Sequence, residues 1–288
     1  MAGTPTGRVL VTGATGNVGA AVIERLRGGG VPFVAAARDV ARARARLGGD
    51  LAYVPFDFTR PETHAAAFAG VERLFLVRPP ELADVRGVIA PALRAARAAG
   101  VRHVVFLSIL GAERNRVVPH HRIEQTLRAS GMDWTFLRAS YFMQNLDTTH
   151  REELRRGELL IPAGRGATSF IDVRDIAAVG ALALTEEGHA NRAYDLTGAR
   201  ALTYAEVARQ FTAVLGRPVR YADPSPLAYV RALRAAGQPW PFVAVTLGIY
   251  TAARLGLAAR VTDDVPRLLG RAPITLRRYI EDYRAAWA

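Results

Sequence analysis

The segment V-L-V-T-G-A-T-G-N-V-G at residues 9–19 constrains the fold most strongly. An apolar strand pattern runs into three glycines, Gly13, Gly16 and Gly19. A helical pattern follows at Asn17–Arg27. A strand, a glycine-rich turn and a helix in this order are the context in which a dinucleotide pyrophosphate is bound. Gly13 would allow the tight turn, Gly16 the approach of the backbone to phosphate, and Gly19 the packing of helix on strand.

The other residues of this loop are assigned to the same predicted cofactor site. They are Thr15, Asn17 and Val18. Backbone N–H groups and the N-terminus of the helix would stabilise the phosphate charge. The spacing is G-x-x-G-x-x-G, which differs from G-x-G-x-x-G, and a tight turn that binds no ligand is the alternative.

The first half of the chain alternates strand and helix patterns. Strand-like apolar runs lie at Arg8–Thr12, Pro32–Ala37, Leu51–Phe56, Arg73–Val77, His103–Ser108 and Trp134–Leu137. Helical patterns between them include Val85–Ala99 and Pro119–Ser130, each followed by a glycine. Repeated βα units predict an α/β fold, a doubly wound parallel sheet with helices on both faces.

Helices dominate after about residue 145. Helical patterns lie at Arg174–Thr185, Tyr204–Leu215, Pro226–Ala236, Trp240–Leu255, Asp263–Leu269 and Leu276–Trp287. Short runs that suit added strands lie at Glu158–Ile161, Ser169–Ile171 and Ala193–Leu196. We therefore predict a Rossmann-like domain over residues 1–145. Residues 146–288 would form a smaller, mostly helical cap that interleaves with the sheet edge and covers the strand ends, where ligands bind. Residues 226–288 are left open as a lid, a homodimer surface or both.

The composition excludes several kinds of chemistry. The chain has 38 Lys plus Arg against 26 Asp plus Glu, a net charge of +12, and none of the 38 is lysine. A mechanism that needs a catalytic lysine is therefore excluded. The absence of cysteine excludes disulfides, thiolate metal sites and cysteine nucleophiles, and we predict no metal site. The arginines are scattered over every segment, so we expect no nucleic-acid partner.

Neither a membrane span nor an export signal is predicted. The longest uncharged stretch, Ala235–Ala253, is interrupted by Gly237, Pro239 and Pro241. It falls short of the roughly 20 apolar residues that a span needs, so we interpret it as a buried helix. The N-terminus is too short and polar for a signal peptide. These features, with the lack of cysteine, fit a cytoplasmic protein.

The end of the second predicted strand favours one cofactor over another. An acidic residue there would hold the ribose 2′-OH of NAD, but the strand is followed by Arg38. A guanidinium suits the 2′-phosphate of NADP, and Arg42 would join it one turn later. Alternatively Arg38 is merely solvated. Asp39 has a separate role as N-cap of a helix at Val40–Leu47. NADP(H) is thus preferred, and NAD(H) stays possible.

Two further strand ends point toward the cofactor. Asp57 and Phe58 follow the third strand, where Asp57 would accept a hydrogen bond from the adenine amino group; the alternative is an aspartate that caps a turn. Val77, Arg78 and Pro79 close the fourth strand. The proline would shape a floor near the dinucleotide, and Arg78 would reach phosphate or substrate.

Motifs along most of the chain resemble the NmrA-like, atypical short-chain dehydrogenase/reductases. Besides V-T-G-A-T-G-N-V-G they are L-S-I-L-G-A at 107–112, H-H-R-I-E-Q-T-L-R-A-S-G-M-D-W-T-F-L-R at 120–138, Y-F-M-Q-N at 141–145, S-F-I-D-V-R-D-I-A at 169–177 and Y-D-L-T-G at 194–198. The resemblance extends to about residue 222, and the C-terminal segment is similar to a bacterial branch. It implies a bound NADP(H) or NAD(H). It also implies a reductase of quinones, azo compounds, phenolic precursors or imines, or a redox-sensing regulator.

The catalytic groups must differ from those of the commoner relatives. Those enzymes use Tyr-x-x-x-Lys, in which tyrosine protonates the substrate, whereas here Tyr141 is followed by Asn145. Several atypical relatives place a lysine near the start of the helix at 119–131, where this chain has His120 and His121. A histidine there would donate a proton near neutral pH. Alternatively, His120 pairs with Glu124 and only stabilises the helix end.

The remaining candidates follow the fifth and sixth strands. Ser108 would hydrogen-bond the nicotinamide carboxamide or the substrate oxygen, unless it only satisfies a local backbone group. Tyr141, Phe142, Gln144 and Asn145 would line the substrate pocket, with core packing as the alternative for Phe142. We name Ser108, His120 and Tyr141 as catalytic candidates, and His120, His121 and the Tyr141–Asn145 set as substrate-binding candidates.

The sequence is therefore interpreted as an NADPH-dependent reductase of a small conjugated acceptor. Hydride transfer to such an acceptor needs little acid–base help, because the cofactor carries the difficult step. The alternative is a protein that senses NADP(H) and passes its redox state to a partner without turnover. A nucleotide-sugar epimerase is disfavoured, since such enzymes usually need the missing lysine.

Overall fold

A computed structural model describes residues 7–287, which form two compact units. The first unit runs up to Ala139 and also includes Val173–Leu196. The second comprises Ser140–Asp172 and the chain from Thr197 onward. The division drawn from the sequence at residue 145 placed Val173–Leu196 in the later part. These residues group with the first unit because they add a helix and a strand to its layers.

Strands and helices follow one another along the whole described chain. The strands are β1 (Arg8–Val11), β2 (Phe33–Ala37), β3 (Tyr53–Pro55), β4 (Val71–Leu76), β5 (His103–Ile109), β6 (Asp133–Ala139), β7 (Glu158–Leu160), β8 (Ala167–Thr168), β9 (Arg192–Leu196), β10 (Leu202–Thr203) and β11 (Arg220–Ala222). The helices are α1 (Asn17–Gly28), α2 (Val40–Leu47), α3 (His64–Phe68), α4 (Ala90–Ala98), α5 (Pro119–Arg128), α6 (Asn145–Thr148), α7 (Arg151–Arg155), α8 (Val173–Thr185), α9 (Tyr204–Leu215), α10 (Pro226–Ala235), α11 (Trp240–Arg254), α12 (Asp264–Leu269) and α13 (Leu276–Asp282).

The first unit is built on a seven-stranded sheet in the order β3-β2-β1-β4-β5-β6-β9. Every neighbouring pair of strands is parallel. Along the sheet, the sequence order of the strands changes direction beside β1. In open α/β sheets, ligands bind at such a switch point, outside the carboxyl ends of the strands. The predicted doubly wound α/β fold is confirmed, and the glycine loop lies at this switch point.

Helices cover both faces of the sheet, as shown by the side chains of β4, which point alternately to one face and the other. Leu74 and Leu76 join a buried cluster with residues of α3, α4 and α5, whereas Phe75 points to the other face. There a Cβ on Gly180 of α8 would lie 3.0 Å from the Phe75 ring, so the missing side chain allows α8 to approach the sheet closely. Helix α8 in turn packs against α1.

One predicted helix begins in a different form. The pattern at Val85–Ala99 predicts a continuous α-helix, but the first turn, Val85–Ile89, is a π-helix, and α4 follows it. Pro91 has no N–H to donate to the carbonyl of Gly87, four residues earlier, so the α-helical pattern cannot be kept here. Instead the Ala90 N–H bonds the Val85 carbonyl, five residues earlier.

The second unit contains two small sheets and most of the later helices. Strands β8 and β10 pair antiparallel, and β7 and β11 pair parallel. The expected strand at Ser169–Ile171 is wrong: β8 ends at Thr168, and Ile171 forms only an isolated bridge with Phe142. The expected helix at Leu276–Trp287 also ends earlier, at Asp282, and a 3₁₀ turn follows.

The start of α9 is specified by its own residues. The Thr203 hydroxyl accepts from the Glu206 N–H at 3.2 Å, and the Glu206 carboxylate accepts from the Thr203 N–H at 2.8 Å. This is a capping box, and it satisfies donors that a helix N-terminus leaves free. It directs Tyr204 and Phe211 into the buried core of the second unit.

Candidate functional site

The glycine loop of the first unit has the geometry that its glycines predict. Gly13 has a φ of +61°, a conformation that favours glycine. Its carbonyl accepts from the Gly16 N–H at 2.9 Å and closes a tight turn. A Cβ on Gly19 would lie 2.2 Å from the Gly13 oxygen, so no other residue fits there without a shift. The three glycines therefore allow α1 to begin directly against the end of β1.

The start of α1 lacks side-chain acceptors for its backbone donors. Gly16 is the N-cap residue and makes no side-chain cap, and the first turn holds no acidic residue. Gly16 and Asn17 are exposed and Thr15 is partly exposed, whereas Val18 is buried in the core. The first N–H groups of this helix are thus available to an anion.

A threonine that the sequence reading did not single out fixes the strand ends beside the loop. The Thr12 hydroxyl donates to the Phe75 carbonyl at 3.1 Å and accepts from the Val77 N–H at 2.8 Å. A Cβ on Gly13 would lie 2.9 Å from the Val77 Cβ. The predicted residue Val77 therefore lies directly against the glycine loop.

Arg38 and Asp57, at the ends of β2 and β3, are held in different ways. Arg38 is exposed and donates to the equally exposed Glu81 at 3.1 Å. Asp57 accepts from both the N–H and the hydroxyl of Thr59 at 2.8 Å, which is the turn-capping arrangement. Partial burial would raise the pKa of Asp57, but these hydrogen bonds outweigh it and lower the pKa. Phe58 is buried against Phe56, with ring centroids 4.8 Å apart.

Arg78 folds back onto the loop that follows β4. Its Nη1 donates to the carbonyls of Pro79, Pro80 and Leu82 at 2.8, 2.9 and 2.9 Å. Its Nε is buried and has no hydrogen-bond partner among residues 7–287. Burial lowers the pKa of Arg78. The guanidinium thus fixes the shape of the proline loop and keeps one donor free.

Ser108, at the end of β5, belongs to a buried charged network. Its hydroxyl donates to Glu124 Oε1 at 2.7 Å. Glu124 is fully buried and accepts two hydrogen bonds from Arg138, at 3.0 and 2.7 Å. Burial alone would lower the pKa of Arg138, but the hydrogen bonds and charge of Glu124 raise it. Because a carboxylate so paired only accepts, the single hydroxyl proton of Ser108 is committed to Glu124, and its lone pairs remain free.

The two histidines at the start of α5 are both partly buried. Burial, followed by the positive charge of Arg78, lowers the pKa of His120 to about 4, so the ring is neutral near pH 7. The ring stacks on Phe106, and its Nδ1 is buried with no partner in the described chain. His121 donates from Nδ1 to the Ala112 carbonyl at 2.8 Å. The expected His120–Glu124 pair is wrong, because Glu124 bonds Ser108 and Arg138 instead.

Tyr141, in the second unit, ends a chain of four hydrogen-bonding groups. Its hydroxyl lies 3.0 Å from the Tyr250 hydroxyl, which lies 2.5 Å from His150 Nε2. His150 Nδ1 lies 3.0 Å from Glu153 Oε2. Tyr250 and His150 are each 1% exposed, whereas Tyr141 is partly exposed. Burial raises the pKa of Tyr141, so its hydroxyl keeps its proton.

The residues after Tyr141 turn from β6 into α6. Phe142 is partly exposed and bridges Ile171. Gln144 is buried and donates to Asp172 Oδ1 at 3.1 Å. Asn145 begins α6, partly exposed, and its side chain acts to lower the pKa of Tyr141, against the larger effect of burial. Asn145 therefore lies near the tyrosine, at the position that lysine holds in the Tyr-x-x-x-Lys pattern.

The predicted residues fall into two groups, one in each unit. The first unit brings Gly13 together with Val77, and places the charge of Arg78 beside His120. The second unit holds the substrate-binding candidates Tyr141, Phe142, Gln144 and Asn145. Within each unit, these residues have hydrogen-bond partners that the sequence did not predict.

These missed partners differ in whether the sequence carried a signal for them. His150 and Glu153 are three residues apart near the start of α7, a spacing that places two side chains on one helical face. Glu124 was considered only as a partner of His120. No local pattern links Ser108 to Arg138, or Tyr141 to Tyr250, which is 109 residues away.

Residues 7–287 offer neither a metal site nor a membrane-spanning helix. Among residues 7–287, no group of three or more His, Asp or Glu side chains could hold a metal ion. No helix in the same range is both long and apolar enough to cross a membrane.

Comparison with known proteins places this arrangement in a family. A sequence model of the NmrA-like family matches residues 5–252, which is most of the chain. The chain belongs to the NmrA-like family. The resemblance drawn from the motifs is thereby confirmed.

Relatives of this NmrA-like chain include characterised reductases. NAD(P)H azoreductase of Xenophilus azovorans is 36% identical over 285 residues, which are 97% of this chain and 99% of that protein. The structure of Citrobacter sp. triphenylmethane reductase complexed with NADP(H) has a TM-score of 0.86 at 29% identity, over 96% of this chain and 99% of that one. An NADPH-dependent quinone oxidoreductase from Escherichia coli, complexed with NADPH, has a TM-score of 0.84 at 28% identity, over 95% and 99% of the two chains.

Proposed function

We propose that this NmrA-like chain is an NADPH-dependent reductase of small conjugated acceptors such as azo compounds, quinones and triphenylmethane dyes. The observation that carries the proposal is the start of α1. Its backbone donors have no capping side chain and no acidic neighbour, next to glycines that admit no Cβ. These residues fit a pyrophosphate. Full-length relatives include NAD(P)H- and NADPH-dependent reductases, which supports the same cofactor here.

The proposed preference for NADPH rests on Arg38. Its ion pair with Glu81 is exposed, with side chains 67% and 53% accessible, and such pairs contribute little free energy. Arg38 would therefore exchange Glu81 for the ribose 2′-phosphate at small cost, and a guanidinium offers that group two parallel hydrogen bonds. Asp57 and Phe58 would lie at the adenine, although one oxygen of Asp57 already accepts from Thr59.

Ser108 is proposed to orient the nicotinamide and not to protonate the acceptor. Its proton is held by Glu124, so the hydroxyl offers only lone pairs. The group it would accept from is the carboxamide N–H of the cofactor. Arg138, which fixes Glu124, thereby fixes the direction of the serine hydroxyl as well.

The chemistry is divided between cofactor and protein. When bound, NADPH supplies a hydride. The residues of this chain bind and orient the cofactor, exclude water and hold a proton for the acceptor. Tyr141 is the proposed donor of that proton, because burial raises its pKa and keeps the hydroxyl protonated, and the residue is partly exposed. The neutral ring of His120 and the ring of His121 would contact the acceptor. A cytoplasmic location is part of this proposal.

The first test is binding followed by turnover. Fluorescence titration with NADPH and NADH should give tighter binding of NADPH. NADPH consumption should then follow the addition of an azo dye, a quinone or a triphenylmethane dye. Tight binding without turnover on any acceptor would contradict the reductase and favour the cofactor sensor.

A substitution at Arg38 tests the cofactor preference. Arg38→Ala should weaken NADPH binding about tenfold, the value of a hydrogen bond to a charged group, and leave NADH binding unchanged. Arg46→Ala, an exposed arginine on α2, is the matched control and should change neither affinity. Equal weakening of both cofactors by Arg38→Ala would mean that Arg38 does not bind the 2′-phosphate.

A further inference from the structure

Tyr141 is joined to the carboxylate of Glu153 through two other side chains of the second unit. The order is Tyr141, Tyr250, His150 and Glu153, with heavy-atom separations of 3.0, 2.5 and 3.0 Å. Each intermediate group has one polar contact on either side. Tyr141 and Glu153, the two ends of this chain, are partly exposed, and the two groups between them are almost fully buried. We call these four residues the tyrosine–histidine relay.

We propose that Tyr250, His150 and Glu153 supply Tyr141 with the proton that it gives to the reduced acceptor. This inference rests on the proposed reductase function and on Tyr141 as the proton donor. Tyr250, His150 and Glu153 act through Tyr141 and are positioning residues. The acceptors that depend on them are those whose reduction requires a proton as well as a hydride.

Aromatic rings enclose the middle of the relay. The Tyr204 and Tyr229 rings pack against Tyr250, with ring centroids 6.0 and 5.8 Å away. The Tyr204 hydroxyl is engaged with Thr168 at 3.2 Å. Burial raises the pKa of Tyr250 well above its usual value, as it does for Tyr141, so both hydroxyls stay protonated. The Tyr250 hydroxyl therefore faces Tyr141 on one side and His150 on the other.

Glu153 holds the histidine end of the relay in position. Its Oε2 accepts from the Leu160 N–H at 3.1 Å and lies 3.0 Å from His150 Nδ1. The other ring nitrogen, Nε2, faces the Tyr250 hydroxyl. The relay requires His150 to carry a proton on each ring nitrogen before turnover, so that Nε2 donates to Tyr250, and Tyr250 to Tyr141.

The proton transfers balance for an azo acceptor. A hydride from NADPH adds to one nitrogen, the N=N π bond breaks, and the second nitrogen carries the negative charge. The Tyr141 O–H bond breaks as an N–H bond forms on that nitrogen. Tyr141 takes the Tyr250 proton, Tyr250 takes the proton of His150 Nε2, and the neutral imidazole keeps its Nδ1 proton toward Glu153. When the product leaves, water at Tyr141 returns one proton by the same route.

A cationic triphenylmethane dye makes no such demand. The hydride adds to the central carbon, and the positive charge of the dye is neutralised. No bond to a proton forms, so the product is complete after the hydride step. The relay should therefore matter for the azo dye and not for the cationic dye.

The decisive variant is Tyr250→Phe, which removes one oxygen and keeps the ring. With NADPH, kcat for an azo dye should fall about 10- to 100-fold, which is less than the roughly 100- to 10,000-fold that a lost proton donor costs, because Tyr141 itself remains. The kcat for a cationic triphenylmethane dye should stay within twofold of the wild type, and KM for both dyes should not change. Tyr229→Phe is the matched control, because its ring lies in the same cluster outside the relay. It should leave both activities unchanged.

Further variants and an isotope measurement separate this inference from a structural effect. His150→Gln should repeat the selective loss, and wild-type azo reduction should show a solvent deuterium isotope effect that cationic-dye reduction lacks. Equal loss on both dyes in Tyr250→Phe, or no loss on the azo dye, would overturn the relay. A wild-type protein that binds NADPH and reduces neither dye would overturn the proposed function, and the relay with it.

Discussion

Each compact unit places a carboxylate behind a hydroxyl, but a different nitrogen-containing side chain links the two groups. In the first unit Ser108 donates directly to Glu124, which two hydrogen bonds tie to Arg138. In the second unit Tyr141 is connected to Glu153 through Tyr250 and a histidine. The first arrangement contains a guanidinium and the second an imidazole.

This difference determines what each hydroxyl is able to do. A guanidinium stays protonated at any working pH, so Arg138 fixes Glu124 and commits the Ser108 proton. The His150 ring instead presents one nitrogen to Tyr250 and the other to Glu153, so it is able to take up a proton at one side and give one up at the other. The first network is suited to holding a group in one orientation, and the second to transferring a proton.

The largest effect should come from removing the guanidinium. Arg138→Met leaves the fully buried Glu124 without its two hydrogen bonds, and breaking a buried pair in this way costs about 3–5 kcal/mol of the free energy of unfolding. Urea unfolding of the wild type and the variant measures the loss. Restoring part of it by adding Glu124→Gln would show that the cost comes from the unpaired charge.

An exposed pair supplies the control for that measurement. Arg27 and Asp50 form an ion pair with side chains 49% and 57% exposed. Arg27→Met should cost no more than about 1 kcal/mol. If Arg138→Met lowers the free energy of unfolding no more than Arg27→Met does, the charged network does not stabilise the first unit.

A histidine of the first unit, His103, is hydrogen-bonded to a hydroxyl and to no carboxylate among residues 7–287. His103 donates from Nε2 to the Thr135 hydroxyl at 2.8 Å. Burial, followed by the charge of Arg73, lowers its pKa to about 4. The fold therefore favours the neutral ring. The stability it contributes is complete above about pH 6.5, the unfolded pKa, and is lost as the pH falls toward 4.

Replacing this histidine should remove that part of the pH dependence. His103→Gln keeps a donor toward Thr135 and cannot become charged. The wild type should lose up to about 3 kcal/mol of unfolding free energy between pH 6.5 and 4 through this site, and the variant should lose correspondingly less. Denaturant midpoints at pH 7 and 4.5 make the comparison. Parallel pH curves for the two proteins would show that His103 is not held neutral.

The smallest effect should come from the Ser108 hydroxyl. Ser108→Ala removes one proposed acceptor for the nicotinamide carboxamide, worth about 1 kcal/mol. The KM for NADPH should rise about fivefold, and reduction of azo and cationic dyes should change to the same extent. A loss confined to the azo dye would instead make Ser108 a proton donor and remove the contrast between the two units.

Local signals in the sequence were sufficient for much of the fold. The tight turn at Gly13, the close packing of helix on strand at Gly19, and the helix at Val40–Leu47 with its Asp39 cap were correctly predicted. Each depends on groups a few residues apart. The π-helical start at Val85–Ile89 was missed, although Pro91 carried the signal for it.

The sequence by itself determined the parallel sheet and the glycine loop, because hydrophobic period, glycine conformation and helix caps act over short distances along the chain. Only the tertiary structure decided which partner each buried polar group received. Glu124 lies one turn from His120 yet bonds Ser108 and Arg138, and Tyr141 reaches Tyr250 across 109 residues. A buried polar atom must be paired by whatever the packing of separate elements places beside it. That placement follows from the whole fold, and no short stretch of sequence specifies it.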